Sequence, residues 1–188
     1  LLLCLPALAG AQDVINVYNW GDYIDPATLE IFKERTGIRV NYELFETVED
    51  MYTKIKRSKT SYDAICPSDY MSERMIQEDM LLPLDFANIP NYDQIDERFQ
   101  NQPFDPENQY SVPYTWGTMG ILYNETMVEE TPTSWGALWD ERYAGNLFML
   151  TARDSIFITL KYLGYSLHTT DPVQLEEAKE KLIEQSPL

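Results

Sequence analysis

Thiol and imidazole chemistry have almost no material in this chain, which holds two cysteines and one histidine in 188 residues. Cys4 lies in an apolar run at the front, so Cys66 is the single cysteine of the expected mature chain and has no partner for an internal disulfide. His168 is the lone imidazole. Soft-metal sites and Cys/His or Ser/His catalysis are therefore not supported, and no catalytic residue, metal or cofactor is expected.

Basic residues are also scarce. Fourteen Lys and Arg stand against thirty-one Asp and Glu, a formal charge of -17. Such a surface repels nucleic acid and anionic membranes and concentrates cations, although most of the bulk charge is explained by solubility alone. No apolar run after the front is long enough to serve as a membrane anchor.

The front itself is apolar, and Ala7-Leu8-Ala9 and Ala9-Gly10-Ala11 give two overlapping small-x-small cleavage patterns. Neither an initiator Met nor a basic segment precedes them. Residues 1–11 therefore read as the end of a signal peptide, with a mature start near Gly10 or Gln12. Cys4 follows Leu3, where lipid attachment requires a small residue, so release is favoured over anchoring.

What the chain does have is apolar and aromatic mass: 44% hydrophobic and 13% aromatic residues, with four Trp and thirteen Tyr. That composition excludes disorder and leaves room for one domain and part of a second. Ile15 and Val17 alternate as a strand, and residues 19–24 form the loop after it. Asp25-Pro26 then starts a helix with Leu29 and Phe32 on one side and Gly37 as its stop. Ile38, Val40 and Tyr42 give a second strand, followed by a helix capped by Thr47 and carrying Val48, Met51 and Ile55. Ala64-Ile65-Cys66 is a third, short strand ended by Pro67, after which Ser68 or Asp69 caps the helix of Met71, Met75 and Ile76. Three βα units in succession predict a parallel sheet.

Residues 88–108 are rich in Pro, Asn, Asp and Gln and read as an extended surface connection. Residues 110–114 and 119–123 read as strands joined through Thr115-Trp116-Gly117, where the pattern changes domain. Beyond it, the sequence predicts a helix from Ser134, a strand over residues 147–150, a helix ended by Gly164 and another begun by Asp171-Pro172.

Ligands on such sheets gather beyond the C-terminal ends of the strands. The loops there read Asn19-Trp20-Gly21-Asp22-Tyr23, Ser68-Asp69-Tyr70 and Thr151-Ala152-Arg153-Asp154. Rings and carboxylates suit an aliphatic polycation, because both stabilise ammonium heads while flat ring surfaces cover the methylene stem. Cation–π contacts of about 0.5–2 kcal/mol and charged hydrogen bonds of about 1.5–3 kcal/mol, a few of each, suffice for the roughly 8 kcal/mol of micromolar affinity. Arg153 is the one basic residue in these loops. Core packing accounts equally well for Trp20 and Tyr23, and capping or solvation for Asp22, Asp69 and Asp154. Glycoside hydrolysis by Asp22 and Asp154 finds no support in their spacing.

The segment Tyr18-Asn19-Trp20-Gly21-Asp22-Tyr23-Ile24 closely resembles the spermidine/putrescine-binding proteins of bacterial polyamine ABC importers. The likeness continues through Glu34-Arg35-Thr36-Gly37-Ile38, Pro67-Ser68, Phe104-Asp105-Pro106, Tyr110-Ser111-Val112-Pro113-Tyr114 with Trp116-Gly117, Ser134-Trp135 and Leu163-Gly164-Tyr165-Ser166. It covers the chain from about residue 13 onward. The resemblance implies an α/β fold of the type II periplasmic-binding kind, two lobes with mostly parallel sheets, truncated in this chain. Lobe one would span residues 12–116 and an incomplete lobe two residues 117–188. It further implies a periplasmic, monomeric protein that is not an enzyme, binds a polyamine between its lobes, and meets the permease subunits of an importer without contacting nucleic acid or entering the membrane.

By resemblance, Trp20, Asp22, Tyr23, Ser68 and Tyr70 match positions that line the cleft. Gly21 takes a cleft position at which the family often has a hydroxyl residue. In the second lobe Asp154 matches one family acid, and Thr151 stands near the place of another. A binding protein of the same fold for another organic cation or small solute is the nearest alternative, and a sensor or adhesion ectodomain a third.

Overall fold

The computed structural model describes residues 13–58, 60–150 and 153–188. They form two compact units that meet in sequence between Trp116 and Gly117. The expected signal segment, residues 1–11, lies outside the described residues.

The first unit is built on β1 (Val14–Trp20), β2 (Arg39–Phe45) and β3 (Ala64–Ile65), a parallel sheet of order β2-β1-β3. Between and after them run α1 (Pro26–Thr36), α2 (Val48–Arg57) and α3 (Asp69–Gln77), the three βα units that the periodicity predicts. β1 extends two residues further than its alternation suggests, taking Asn19 and Trp20 into the strand, where Trp20 pairs with Phe45.

The helix limits follow from their caps. Asp25 accepts from the Ala27 N–H at 2.9 Å, Pro26 fills the first turn, and Gly37 ends α1 at φ 75°, a left-handed conformation that favours glycine. Thr47 accepts from the Asp50 N–H at 3.1 Å and donates to the Asp50 carboxylate at 2.7 Å, a reciprocal cap for α2.

The core lies between the sheet and α2/α3. Tyr18, Phe45, Val48, Met51, Tyr52, Met71 and Met75 are buried together, with Met51 and Met75 fully enclosed. α1 contributes no buried residue, and its Leu29 and Phe32 are only half-buried. Over the core, Glu78 accepts hydrogen bonds from the Tyr52 hydroxyl, Lys56 Nζ and Arg74 Nε at 2.7–2.9 Å, joining α2 to the end of α3. The Arg74 guanidinium lies 4.2 Å from the Tyr52 ring centroid.

Residues 88–108, expected as an extended connection, instead carry short 3₁₀ turns and close on a buried carboxylate. Asp105 is 5% exposed and accepts from the Gln109 and Tyr110 N–H groups at 2.9 and 3.0 Å and from the Ser111 hydroxyl at 2.7 Å. The Leu84 N–H adds a 2.7 Å bond to the Gln109 carbonyl. The strands expected over residues 110–114 and 119–123 do not form. A strand persists only where a neighbour takes its backbone hydrogen bonds, and no neighbour pairs with these segments among the described residues. Trp116 and Leu122 consequently stand exposed.

In the second unit, α4 (Arg153–Leu163) packs against α5 (Pro172–Gln185). Leu138, Trp139 and Ile158 form its small core. Trp139 stacks on Tyr162 with centroids 4.7 Å apart and donates from Nε1 to the Lys181 carbonyl at 2.7 Å. Gly164 ends α4 at φ 82°, and Asp171 caps α5 through the Val173 N–H. Two expectations are corrected. The helix from Ser134 is a 3₁₀ segment over Trp135–Trp139, and the strand over residues 147–150 is absent, with Phe148 almost fully exposed. Lacking a ladder partner, that apolar run has nothing to pair with, and among the described residues the parallel sheet is confined to the first unit.

Three donors hold the Glu78 carboxyl well below its ordinary value, at about 2. A depressed folded pKa means stability that is present above the unfolded value near 4.5 and lost as pH falls towards 2. Glu78→Gln is accordingly expected to lower the denaturant midpoint at pH 7, with the gap to wild type closing as pH drops through that window. A gap that is the same at pH 7 and pH 2.5 would show that the charge is not what joins α2 to α3.

Candidate functional site

The parallel sheet sends the ends of β1 and β3 out of the same edge, side by side, because Tyr18 pairs with Ile65. β2 lies on the other side of β1, so the chain reverses its direction of progress across the sheet at β1, and the crevice between β1 and β3 is where ligands bind in such folds. The two loops that open there are residues 20–23 and 68–70.

Trp20 is half-buried and serves packing: its ring lies 4.6 Å from Phe45 and 5.9 Å from Tyr23. Tyr23 continues the row outward and is 43% exposed. Gly21 and Asp22 are exposed, and a Cβ built at Gly21 would meet nothing within 4 Å. Open space at position 21 is what a contacting hydroxyl residue would need. Capping does not account for Asp22, because Asp25 caps α1.

Ser68 holds the N-cap position of α3, yet its side chain makes no capping hydrogen bond. Of the two residues expected to cap the helix, Ser68 thus takes the position without a side-chain bond. Asp69 Oδ1 accepts from the Tyr70 N–H at 2.7 Å in the first turn. Tyr70 is half-buried, and its hydroxyl donates to Glu49 Oε1 at 3.1 Å, which steers the ring toward the start of α2.

Trp20, Gly21, Asp22 and Tyr23 therefore follow the end of β1, and Ser68 and Tyr70 the end of β3, at the same end of the sheet. Asp154 belongs to the second unit, half-buried in the first turn of α4, where a carboxylate complements the helix dipole. Thr151 lies outside the described residues. Among the described residues no group of three or more His, Cys, Asp and Glu could hold a metal ion, and no helix is long and apolar enough to cross a membrane.

Three neighbours of the first-unit edge escape sequence reasoning. Glu49 is one, through Tyr70. Tyr42 is another: burial pushes the pKa of its hydroxyl up, opposed by the Asn19 side chain, and burial also raises that of the Cys66 thiol. The third is Tyr114, whose hydroxyl donates to the Tyr23 carbonyl and whose ring lies 6.1 Å from the Tyr23 ring. A contact between residues so far apart leaves no periodic trace; only the resemblance at residues 110–114 marks the neighbourhood.

Comparison with known proteins places this geometry. Residues 62–184 match the family described as bacterial extracellular solute-binding proteins. The spermidine/putrescine-binding periplasmic protein of Salmonella typhimurium is 40% identical over 179 residues, which cover 94% of this chain and 51% of that protein. The putrescine-binding periplasmic protein SpuD of Pseudomonas aeruginosa is 31% identical, covering 96% of this chain and 53% of its own length. Among solved structures, a putative spermidine/putrescine ABC transporter from Listeria monocytogenes superposes with a TM-score of 0.87 at 40% identity, over 93% of this chain and 55% of that one. The spermidine/putrescine ABC transporter substrate-binding protein PotD of Streptococcus pneumoniae gives 0.76 at 48% identity, over 93% and 55%. The chain thus spans about half the length of the relatives it matches.

The uncommitted Ser68 hydroxyl is open to a direct check. Thr47→Ala, which removes an engaged cap, is expected to cost about 0.5–2 kcal/mol, whereas Ser68→Ala should stay within about 0.5 kcal/mol of wild type in denaturant unfolding. Equal losses for the two would return Ser68 to helix capping and remove it from the site.

Proposed function

The chain belongs to the bacterial extracellular solute-binding protein family, and from that footing we propose that it captures a polyamine of the putrescine or spermidine type in the periplasm and delivers it to the membrane permease of an ABC importer. It acts as a monomeric binding component released from its signal peptide, and it binds its ligand without converting it. Relatives named as spermidine/putrescine-binding and putrescine-binding periplasmic proteins support the reading.

The observation that carries it is the composition of the sheet edge. The loops after the paired strands β1 and β3 carry Trp20, Asp22 and Tyr23 on one side and Ser68 and Tyr70 on the other, and neither residues 20–23 nor 68–70 include a Lys or Arg. A cation meets acceptors and ring faces there and no competing positive charge. Gly21 leaves room against the loop, and the net charge of -17 raises the local concentration of polycations before contact. An anionic solute would need the opposite lining.

From the second unit Asp154 supplies a carboxylate for an ammonium group, with Thr151 beside it in sequence. Protein of the same fold that takes another organic cation would use the same groups, and titration separates the two readings. Calorimetry on the complete protein should show binding of putrescine or spermidine at micromolar or tighter affinity and none of neutral or acidic amino acids. Binding of an amino acid with indifference to both polyamines would overturn the assignment.

Two substitutions test the residues. Asp154→Asn is expected to weaken polyamine binding by about 1.5–3 kcal/mol through loss of a charge-assisted bond. Trp20→Ala, which removes a ring that serves both ligand and packing, should reduce affinity by more than it reduces apo stability. Unchanged affinity for either variant would remove that residue from the site.

A further inference from the structure

Residues 21–24 form a turn in which Gly21, Asp22 and Tyr23 are exposed. The Tyr23 carbonyl of this turn accepts a hydrogen bond from the Tyr114 hydroxyl. The Tyr114 ring is 56% exposed and backs the Tyr23 ring at 6.1 Å with a 38° tilt. Tyr23 in turn lies 5.9 Å from Trp20, which rests on Phe45 in the core. The row of rings Phe45, Trp20, Tyr23 and Tyr114 is therefore held at its inner end by the core and at its outer end by a residue 91 positions along the chain.

That outer end is itself fixed. Tyr114 follows by three residues the Ser111 whose hydroxyl donates to buried Asp105, and Asp105 also takes the Gln109 and Tyr110 N–H groups. The segment leading to Tyr114 is thus tied down by a buried carboxylate, and Tyr114 passes that constraint to the turn. We propose that Tyr114 is a positioning residue of the ligand site: its hydroxyl and ring hold residues 21–24 in the conformation that presents Asp22 and Tyr23, so that ligand does not have to order the turn as it binds. This rests on the binding function proposed above. A preordered turn spares the ligand the conformational entropy of fixing those residues, which otherwise subtracts from affinity.

The test is Tyr114→Phe, which keeps the ring and removes the hydroxyl, beside Tyr114→Leu, both in the complete protein. Backbone order parameters of residues 21–24 are measured with and without putrescine, together with putrescine affinity and melting temperature. In free wild type the turn is expected near the rigid value of about 0.85, and in free Tyr114→Phe it should fall towards about 0.6. The two proteins should converge once putrescine is bound. Affinity should drop about three- to tenfold, as for loss of one hydrogen bond, with the melting temperature unchanged, and Tyr114→Leu should lose more. An equally ordered turn in free Tyr114→Phe, or a loosened turn with unchanged affinity, would overturn the proposal. Wild-type protein that ignores putrescine would overturn the polyamine reading instead, and the order parameters alone would then decide whether Tyr114 holds the turn.

Discussion

Because β1 pairs in parallel with β2 on one side and β3 on the other, with Tyr18 beside both Glu43 and Ile65, two loops distant in sequence leave the sheet at one edge. That pairing is maintained by a core on a single face of the sheet, where Met51 and Met75 of α2 and α3 close over Tyr18 and Phe45. Side chains alternate along a strand, so the same register that buries Tyr18 also directs Trp20, two residues on, to the core side at the sheet's rim. Trp20 is consequently both the last residue of the core and the first of the candidate site. Slipping the register by one residue would turn both rings to the opposite face.

The electrostatic arrangement separates structure from function. Carboxylates that stabilise the fold are engaged: Glu78 by three donors, Asp105 by two amides and a hydroxyl, and Glu43 by Lys54 and the Tyr62 hydroxyl. Exposed Asp22 stands apart from these networks, on a turn whose helix is capped by another residue. Carboxylates already bonded have little to offer a cation, whereas one held on an exposed turn without a cationic neighbour in its loop retains its full attraction.

Legibility in the sequence followed the range of each interaction. Asp25-Pro26 with Gly37, Thr47 with Asp50, and Asp171-Pro172 are local devices, and the helices they delimit form where the pattern places them. Strands are different, because alternation records a face and not a partner; residues 110–114, 119–123 and 147–150 alternate or run apolar but find no ladder neighbour among the described residues. Residues 88–108 read as a plain connection because nothing local distinguishes a buried Asp105 from a solvated one. Loop composition marked Trp20, Asp22, Tyr23, Ser68 and Tyr70, and the parallel pairing of β1 and β3 puts their two loops at the same end of the sheet. It could not show that the Ser68 hydroxyl makes no capping bond to α3, or that Tyr114 reaches back to Tyr23.

We propose the edge between β1 and β3 as the first unit's ligand surface and an aliphatic polycation as its ligand. Residue-resolved nuclear magnetic resonance during a putrescine titration of the complete protein tests both parts at once. The amides of Gly21, Asp22, Tyr23, Ser68 and Tyr70 should shift together along one saturation curve, while those around the hollow of about 270 Å³ bounded by Phe86, Tyr92 and Asn108 stay in place. Saturable shifts centred on that hollow, with the β1 and β3 loops unmoved, would contradict the account.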